Sequence, residues 1–251
     1  PNNAFSLNVL EPGEVAATAG TSGVVYSISD QNVYDKESRV NPFAHVNHTP
    51  DHKRLGILLC INGTGILNSW VRRNFGNELS FQEMNLLAAQ IPAGSEGVSI
   101  LPFGNGAERM LKNRYTGTVI GGLDLNNHHR GHVFRAAQEG IAFSFRYGME
   151  LMRQLGTDTR IIRAGNANMF LSPVFRETLS SLTGATIELY DTDGAAGAAR
   201  GAGVGAGLYS SPAEAGQYLK RINLIEPQAS HTAPLEDAYQ RWKQELEARL
   251  R

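Results

Sequence analysis

Gly20-Thr21-Ser22-Gly23 has the composition of an anion site. Its two glycines free backbone N–H groups to converge, and its two hydroxyls add donors, which together suit a phosphate. An ordinary hairpin turn asks for the same residue types, so the segment alone decides nothing. A second candidate is Arg163-Ala164-Gly165-Asn166-Ala167-Asn168, lying between a β-like run and a helical one. Open α/β sheets bind nucleotides at the carboxyl ends of their strands, so these asparagines could hydrogen-bond a base or ribose. Capping of the following helix would explain one of them.

Histidines form two clusters, His45, His48 and His52, then His128, His129 and His132. Three imidazoles at such spacing could hold zinc. Neither cluster contains a cysteine, and a zinc site needs its ligands oriented by further hydrogen bonds. Solvated loop histidines are the preferred reading, and no metal ligand is assigned. Gly201-x-Gly203-x-x-Ala206 imitates a dinucleotide fingerprint but does not directly follow a strand, which excludes that site. There is no Walker A sequence and no Gly-x-Ser-x-Gly elbow. Glu139 shares a helix with Arg135 and Arg146 and reads as an ion-pair or packing carboxylate.

The elements that must position these residues begin as β structure. Residues 15–19 and 24–29 are strand-like runs on either side of the glycine pair, as in an antiparallel hairpin. Residues 30–41 read as an exposed loop, and 43–46 and 55–61 as two further strands, the second buried on both sides. After Gly63 the period becomes helical, with Ile66, Leu67, Trp70, Val71 and Phe75 in one stripe and a second helix over 81–90. Residues 99–101 form a short strand that runs into a loop at 102–106. The longest helix spans 132–155, with Phe134, Ala137, Ile141, Phe145, Met149 and Met152 on its apolar face. Arg135, Glu139, Arg146, Glu150 and Arg153 are assigned to the opposite face.

The remainder alternates: β at 160–163, helix at 173–182, β at 186–190. Residues 194–207 are nearly all glycine and alanine, and Gly197, Gly201 and Gly205 make a bare helical stripe for close packing. A last helix spans 234–250, with Pro234 at its start and Leu235, Tyr239, Trp242 and Leu246 in its stripe. Antiparallel strands followed by β-α-β-α alternation predict one α/β domain, a mixed sheet with helices on its faces.

The 251 residues suit one large domain. Lys and Arg number 23 against 24 Asp and Glu, a net charge of −1, which argues against a nucleic-acid or anionic-membrane partner. The apolar run 57–61 is far short of the roughly 20 residues of a membrane helix. Cys60 is the sole cysteine, so no intrachain disulfide and no multi-cysteine zinc site can form. Low cysteine use fits a reducing compartment, and a cytoplasmic location is expected. The start at Pro1-Asn2-Asn3 suggests a piece of something longer.

Five segments in order resemble the FGGY family of carbohydrate kinases, with xylulokinases of the Bacteroidetes kind as the nearest branch. Ala19-Gly20-Thr21-Ser22-Gly23-Val24 resembles the family's second phosphate loop. Leu101-Pro102-Phe103-Gly104-Asn105-Gly106-Ala107-Glu108-Arg109 is similar to its Leu-Pro-Tyr…Gly-Glu-Arg segment, with one extra residue before the Glu-Arg pair. Arg135-Ala136-Ala137-Gln138-Glu139-Gly140 resembles the Arg-Ala…Glu-Gly stretch of the long helix. Residues 163–170 take the place of the adenosine motif, with Ala-Gly-Asn-Ala-Asn where many members have Gly-Gly-Gly. Residues 193–200 resemble the segment that usually ends Leu-Gly-Ala-Ala.

The resemblance implies a ribonuclease H-like, actin-like ATPase fold, and makes this chain the C-terminal nucleotide-binding domain, without the N-terminal sugar-binding one. It implies that Gly20 and Thr21 hold ATP phosphates with Ser22 and Gly23 beside them, and that Gly65 lies against the nucleotide. Ala164, Gly165 and Asn168 would contact adenine and ribose. No catalytic residue is expected here, because the family's general-base Asp would fall about two residues before Pro1. Acidic residues near Mg2+ and most sugar contacts would belong to the missing domain. The implied reaction is phosphorylation of D-xylulose at O5 by MgATP, with this chain alone inactive and a homodimer unsurprising. Kinases of gluconate, ribulose, fuculose or glycerol, and a non-catalytic actin-like module, are the alternatives.

Overall fold

Side chains that alternate along a strand can bury both faces of a sheet only if each face is covered, and here each is. The computed structural model describes residues 2–251. Strands β1 (Glu14–Ala19), β2 (Gly23–Ser29), β3 (Asn41–Ala44) and β4 (Leu55–Ile61) form the first half of a seven-stranded sheet. Strands β7 (Ile161–Gly165), β8 (Thr186–Tyr190) and β9 (Arg221–Ile225) form the second half. The order is β3-β4-β2-β1-β7-β8-β9. β1, β7 and β8 run parallel, and the other neighbours pair antiparallel. A separate two-stranded sheet pairs β5 (Ser99–Phe103) with β6 (Gly117–Gly121).

Val15, Ala17, Val25, Ile57 and Leu59 face the large core, which also holds Phe134, Phe145, Phe175 and Trp242. Their alternate neighbours Ala16, Tyr26 and Ile28 face a smaller cluster on the other side. That second face is covered by α1 (Asn2–Ser6), which packs against α6 (Gly194–Gly205). The bare stripe explains the fit: a Cβ on Gly197 would lie 2.2 Å from the Asn2 carbonyl oxygen. A short helix, α7 (Pro212–Gly216), packs beside them.

On the main face lie α2 (Gly65–Phe75), α3 (Phe81–Ala89), α4 (Arg130–Gln154), α5 (Pro173–Thr183) and α8 (Ala229–Arg249). α4 is the central rod, in contact with α2, α3, α5, α8 and strands β2, β4 and β5. Among the described residues no helix is long and apolar enough to cross a membrane.

Several expectations are corrected. Arg135 and Glu139 are not on a solvent face; they are buried, because α4 is surrounded over its first half. Trp70 is 40% exposed, so it does not belong to the core stripe. The third strand begins two residues earlier than its β-rich run, at Asn41, and the short strand at 99 continues to Phe103. Pro234 lies inside α8, whose first turn starts at Ala229. Strands β6 and β9 and helices α1 and α7 carry no periodic signal strong enough to announce them.

Candidate nucleotide-binding site

A cavity of about 490 Å³ opens where three chain segments meet. Gly20 and Thr21 supply the β1–β2 turn, and Gly65, Ile66, Asn68, Ser69 and Arg73 one side of α2. Asn168, Met169, Leu171 and Ser172 supply the turn after β7, while Phe81 and Asn85 of α3 close it.

The turn and the helix are joined through the backbone. The Gly65 N–H donates to the Gly20 carbonyl at 2.9 Å and the Ile66 N–H to the Thr21 carbonyl at 3.1 Å. These two amides of the first helical turn would otherwise lack partners. Among the described residues, the N–H groups of Thr21 and Ser22 meet no backbone acceptor, which leaves them as donors for an anion. The close approach requires glycine: a Cβ on Gly65 would lie 2.4 Å from the Gly20 carbonyl oxygen.

Glu108 fixes the path into α2. Its buried carboxylate accepts the N–H groups of Asn62 and Gly63, both at 3.0 Å. Burial pushes its pKa up, against the pull of those two amides. The acidic residue of the 101–109 segment is thus a clamp on the β4–α2 turn. Arg109 extends the tie by donating from Nε to the Ser38 carbonyl at 2.7 Å.

Asn168 borders the cavity in the left-handed conformation, φ 55°, at the start of a 3-10 turn, Asn168–Leu171. Neither asparagine caps α5. That task falls to Ser172, whose hydroxyl accepts the Phe175 N–H at 3.3 Å. Asn166 instead donates its backbone N–H to Tyr190 at 3.0 Å and stays outside the cavity.

Glu139 is a structural ion-pair carboxylate. It accepts from Arg135 Nε at 2.7 Å, from Ser95 Oγ at 2.7 Å and from the Gly94 N–H at 3.0 Å. Arg135 also donates to the Ile91 carbonyl at 2.7 Å, so the pair ties the loop after α3 to α4.

The histidines divide. His48 and His52 are exposed, as expected of loop residues. His45 is buried: its Nε2–H donates to the Val9 carbonyl and its Nδ1 accepts from Tyr26 Oη, both at 3.0 Å. His132 is buried as well, because the second cluster caps α4. Its Nδ1 accepts the His129 N–H at 3.1 Å, and His129 Nδ1 accepts the Gly131 N–H at 3.2 Å. Glu96, His128 and His132 bring one ligand atom each within 4.8 Å of one another. Both of those imidazoles accept a backbone N–H through Nδ1, so the neutral rings carry their proton on Nε2. Nε2 is the atom a cation would need, and on His132 it donates to Glu96 at 2.8 Å.

Over residues 15–207 the chain matches the C-terminal domain of the FGGY family of carbohydrate kinases. It belongs to that family. It is 30% identical over 183 residues to the xylulose kinase of Haemophilus influenzae, covering 71% of this chain and 35% of that protein. It is 27% identical over 150 residues to a gluconokinase of Bacillus subtilis, covering 56% of this chain and 28% of that protein. The crystal structure of xylulose kinase from Rhodospirillum rubrum superposes with a TM-score of 0.86 at 22% identity, covering 98% of this chain and 49% of that one. The chain spans less than half the length of each. Its fold is therefore the actin-like, ribonuclease H-like fold of FGGY kinases.

Of the residues singled out in the sequence, Gly20, Thr21, Gly65 and Asn168 share the cavity. Ser22 is exposed beside it, and Gly23 lies under Phe145, whose ring stands 2.6 Å from where a Cβ would be. Ala164 is fully buried in the core, and neither it nor Gly165 borders the cavity. Asn68, Ser69, Arg73, Phe81 and Asn85 were not foreseen. Helical spacing carried part of the signal, since 65, 68, 69 and 73 share one face of α2, and 81 and 85 one face of α3.

Proposed function

We propose that this chain is the nucleotide-binding half of an FGGY kinase that moves the γ-phosphoryl group of ATP to D-xylulose, giving D-xylulose 5-phosphate. The observation that supports it best is the cavity built on the Gly20-Thr21 turn, with unpaired amides at Thr21 and Ser22. Phosphoryl transfer is catalysed mainly by positioning and by stabilising charge, and a donor-rich turn fixed to a helix suits both. In this reading Thr21 and Ser22 hold phosphate oxygens, Gly65 keeps the turn against α2, and Asn168 lies by the ribose. Ile66, Phe81, Met169 and Leu171 give the base an apolar surround.

Among the described residues no carboxylate lines the cavity, and Arg73 is its one charged side chain. The cavity does not fit a protein-held Mg2+, so the ion would arrive with the phosphates and be met by groups outside it. The general base and most sugar contacts are assigned to an N-terminal domain that this chain does not include, and the enzyme to the cytoplasm.

D-xylulose is chosen over gluconate because the xylulose kinases align in sequence with a larger share of the chain, 71% and 96% against 56%. Joined to its sugar-binding half, the chain is expected to release ADP faster with D-xylulose than with gluconate, ribulose or glycerol. A preference for gluconate would overturn the sugar assignment. D-xylulose-dependent ADP release from the 251 residues alone would overturn the division of labour.

A further inference from the structure

Phe81 is a large aromatic side chain that belongs to no hydrophobic core. It is 40% exposed, packs into none of the apolar clusters, and borders the cavity. The ring is nevertheless held in place. It occupies the first position of α3, where Ser80 Oγ accepts the Glu83 N–H at 3.2 Å and the Glu83 carboxylate accepts the Ser80 N–H at 2.7 Å. The Arg72 guanidinium lies over the ring, its central carbon 4.7 Å from the centroid. A cation so placed is attracted by the π-electrons. Phe81 borders the cavity and Arg72 does not, so the side of the ring left bare is the one turned toward it.

The ring also stands at a useful distance from the phosphate turn. Gly65 touches that turn, and Arg72 lies seven residues further along α2, about 10 Å at the helical rise per residue. A phosphate, a ribose and a base laid end to end cover that span. The two amides nearby do not read a base edge. Asn85 turns its Oδ1 to Gln138 Nε2 at 2.8 Å, and the Asn68 Oδ1 is buried out of the cavity's reach. What either amide has left to offer is N–H. Adenine carries an amino donor where guanine carries an oxygen, and that donor finds no acceptor in these amides.

We propose that the base of the bound nucleotide stacks on Phe81, with Arg72 as the positioning residue behind the ring, and that the site therefore takes adenine and guanine nucleotides alike. This rests on the nucleotide reading above. Every base has a π-face, so a stacking platform holds either purine. The phosphoryl donor is then a purine nucleoside triphosphate rather than ATP alone. Arg72 touches no ligand and acts by holding the ring to α2.

The test is titration of the chain with MgADP, MgGDP and magnesium pyrophosphate. Wild type is expected to bind ADP and GDP within about tenfold of each other. Phe81→Ala should weaken both about tenfold or more and leave pyrophosphate unchanged, while Phe81→Tyr should bind like wild type. Arg72→Gln should weaken both about threefold on its own and not at all when combined with Phe81→Ala. Should Phe81→Ala fail to fold, Phe81→Leu, which keeps the bulk and loses the π-face, carries the test. A preference of wild type for either base beyond tenfold means that an edge is read, and overturns the proposal. Undiminished ADP affinity in Phe81→Ala overturns it as well, and both results leave the nucleotide site standing. An Arg72→Gln loss that persists beside Phe81→Ala overturns the positioning role. A proportional loss of all three ligands marks a structural role and overturns the proposal too. Wild type that binds none of the three removes the nucleotide reading itself, and the proposal with it.

Discussion

His45 and Glu139 are both buried, and the fold meets them with different partners. Glu139 is met by three donors, Arg135 Nε, Ser95 Oγ and the Gly94 N–H. His45 is kept neutral: burial lowers its pKa from 6.5 to about 4, although the bond to Val9 opposes the shift. A folded-state value below the unfolded one means that unfolded chains take up the proton first as pH falls. The stability is intact above about 6.5 and is lost progressively down to about 4. Urea unfolding should show wild type losing about 2 kcal/mol more than His45→Gln between pH 7 and pH 5. Equal losses would mean that His45 does not carry this acid sensitivity. None of this was legible in the sequence, where His45 looks like a neighbour of His48 and His52. What buries it is Tyr26 and Val9, distant in the chain. Glycines and hydroxyls were easier, because Gly20 and Thr21 advertise a backbone conformation rather than a remote contact.

Elements were legible where their burial repeats with a fixed period. Strands β4 and β8 coincide with their apolar runs, and α2, α3 and α5 end within a residue of their patterns. Strand β9 was not, because four of its five residues are exposed at the sheet edge and no alternation marks them. α4 was read as an amphipathic helix, which holds for its second half but not for its first, buried on all sides. Its charged residues at 135 and 139 are paired with each other and with loop backbone, so charge there does not signal solvent. The most consequential junction is α2 against the hairpin turn, which depends on one missing Cβ. Gly65→Ala should push the turn from the helix and weaken MgADP binding about tenfold or more, roughly the worth of one charge-assisted hydrogen bond. Circular dichroism should show the helix content retained. Undiminished affinity would show that the turn and α2 need not touch.

At the scale of the molecule, a mixed sheet carries one large core and two small clusters, and the site sits at an end of its central strands. The turn between β1 and β2 and the chain leaving β7 reach the same cavity because β1 pairs with both β2 and β7. That adjacency explains how residues 20 and 168 come together, and the order of the family segments anticipated it. The side chains on α2 and α3 that complete the cavity depend on how two helices pack, which no spacing rule states. The central claim is that this cavity binds a nucleotide through the Gly20-Thr21 turn. Calorimetric titration of MgADP into wild type and Thr21→Ala tests it most directly. The account predicts saturable binding at one site, weakened about tenfold or more by loss of the hydroxyl. Saturable binding that Thr21→Ala leaves unchanged, or no binding by wild type, would contradict it.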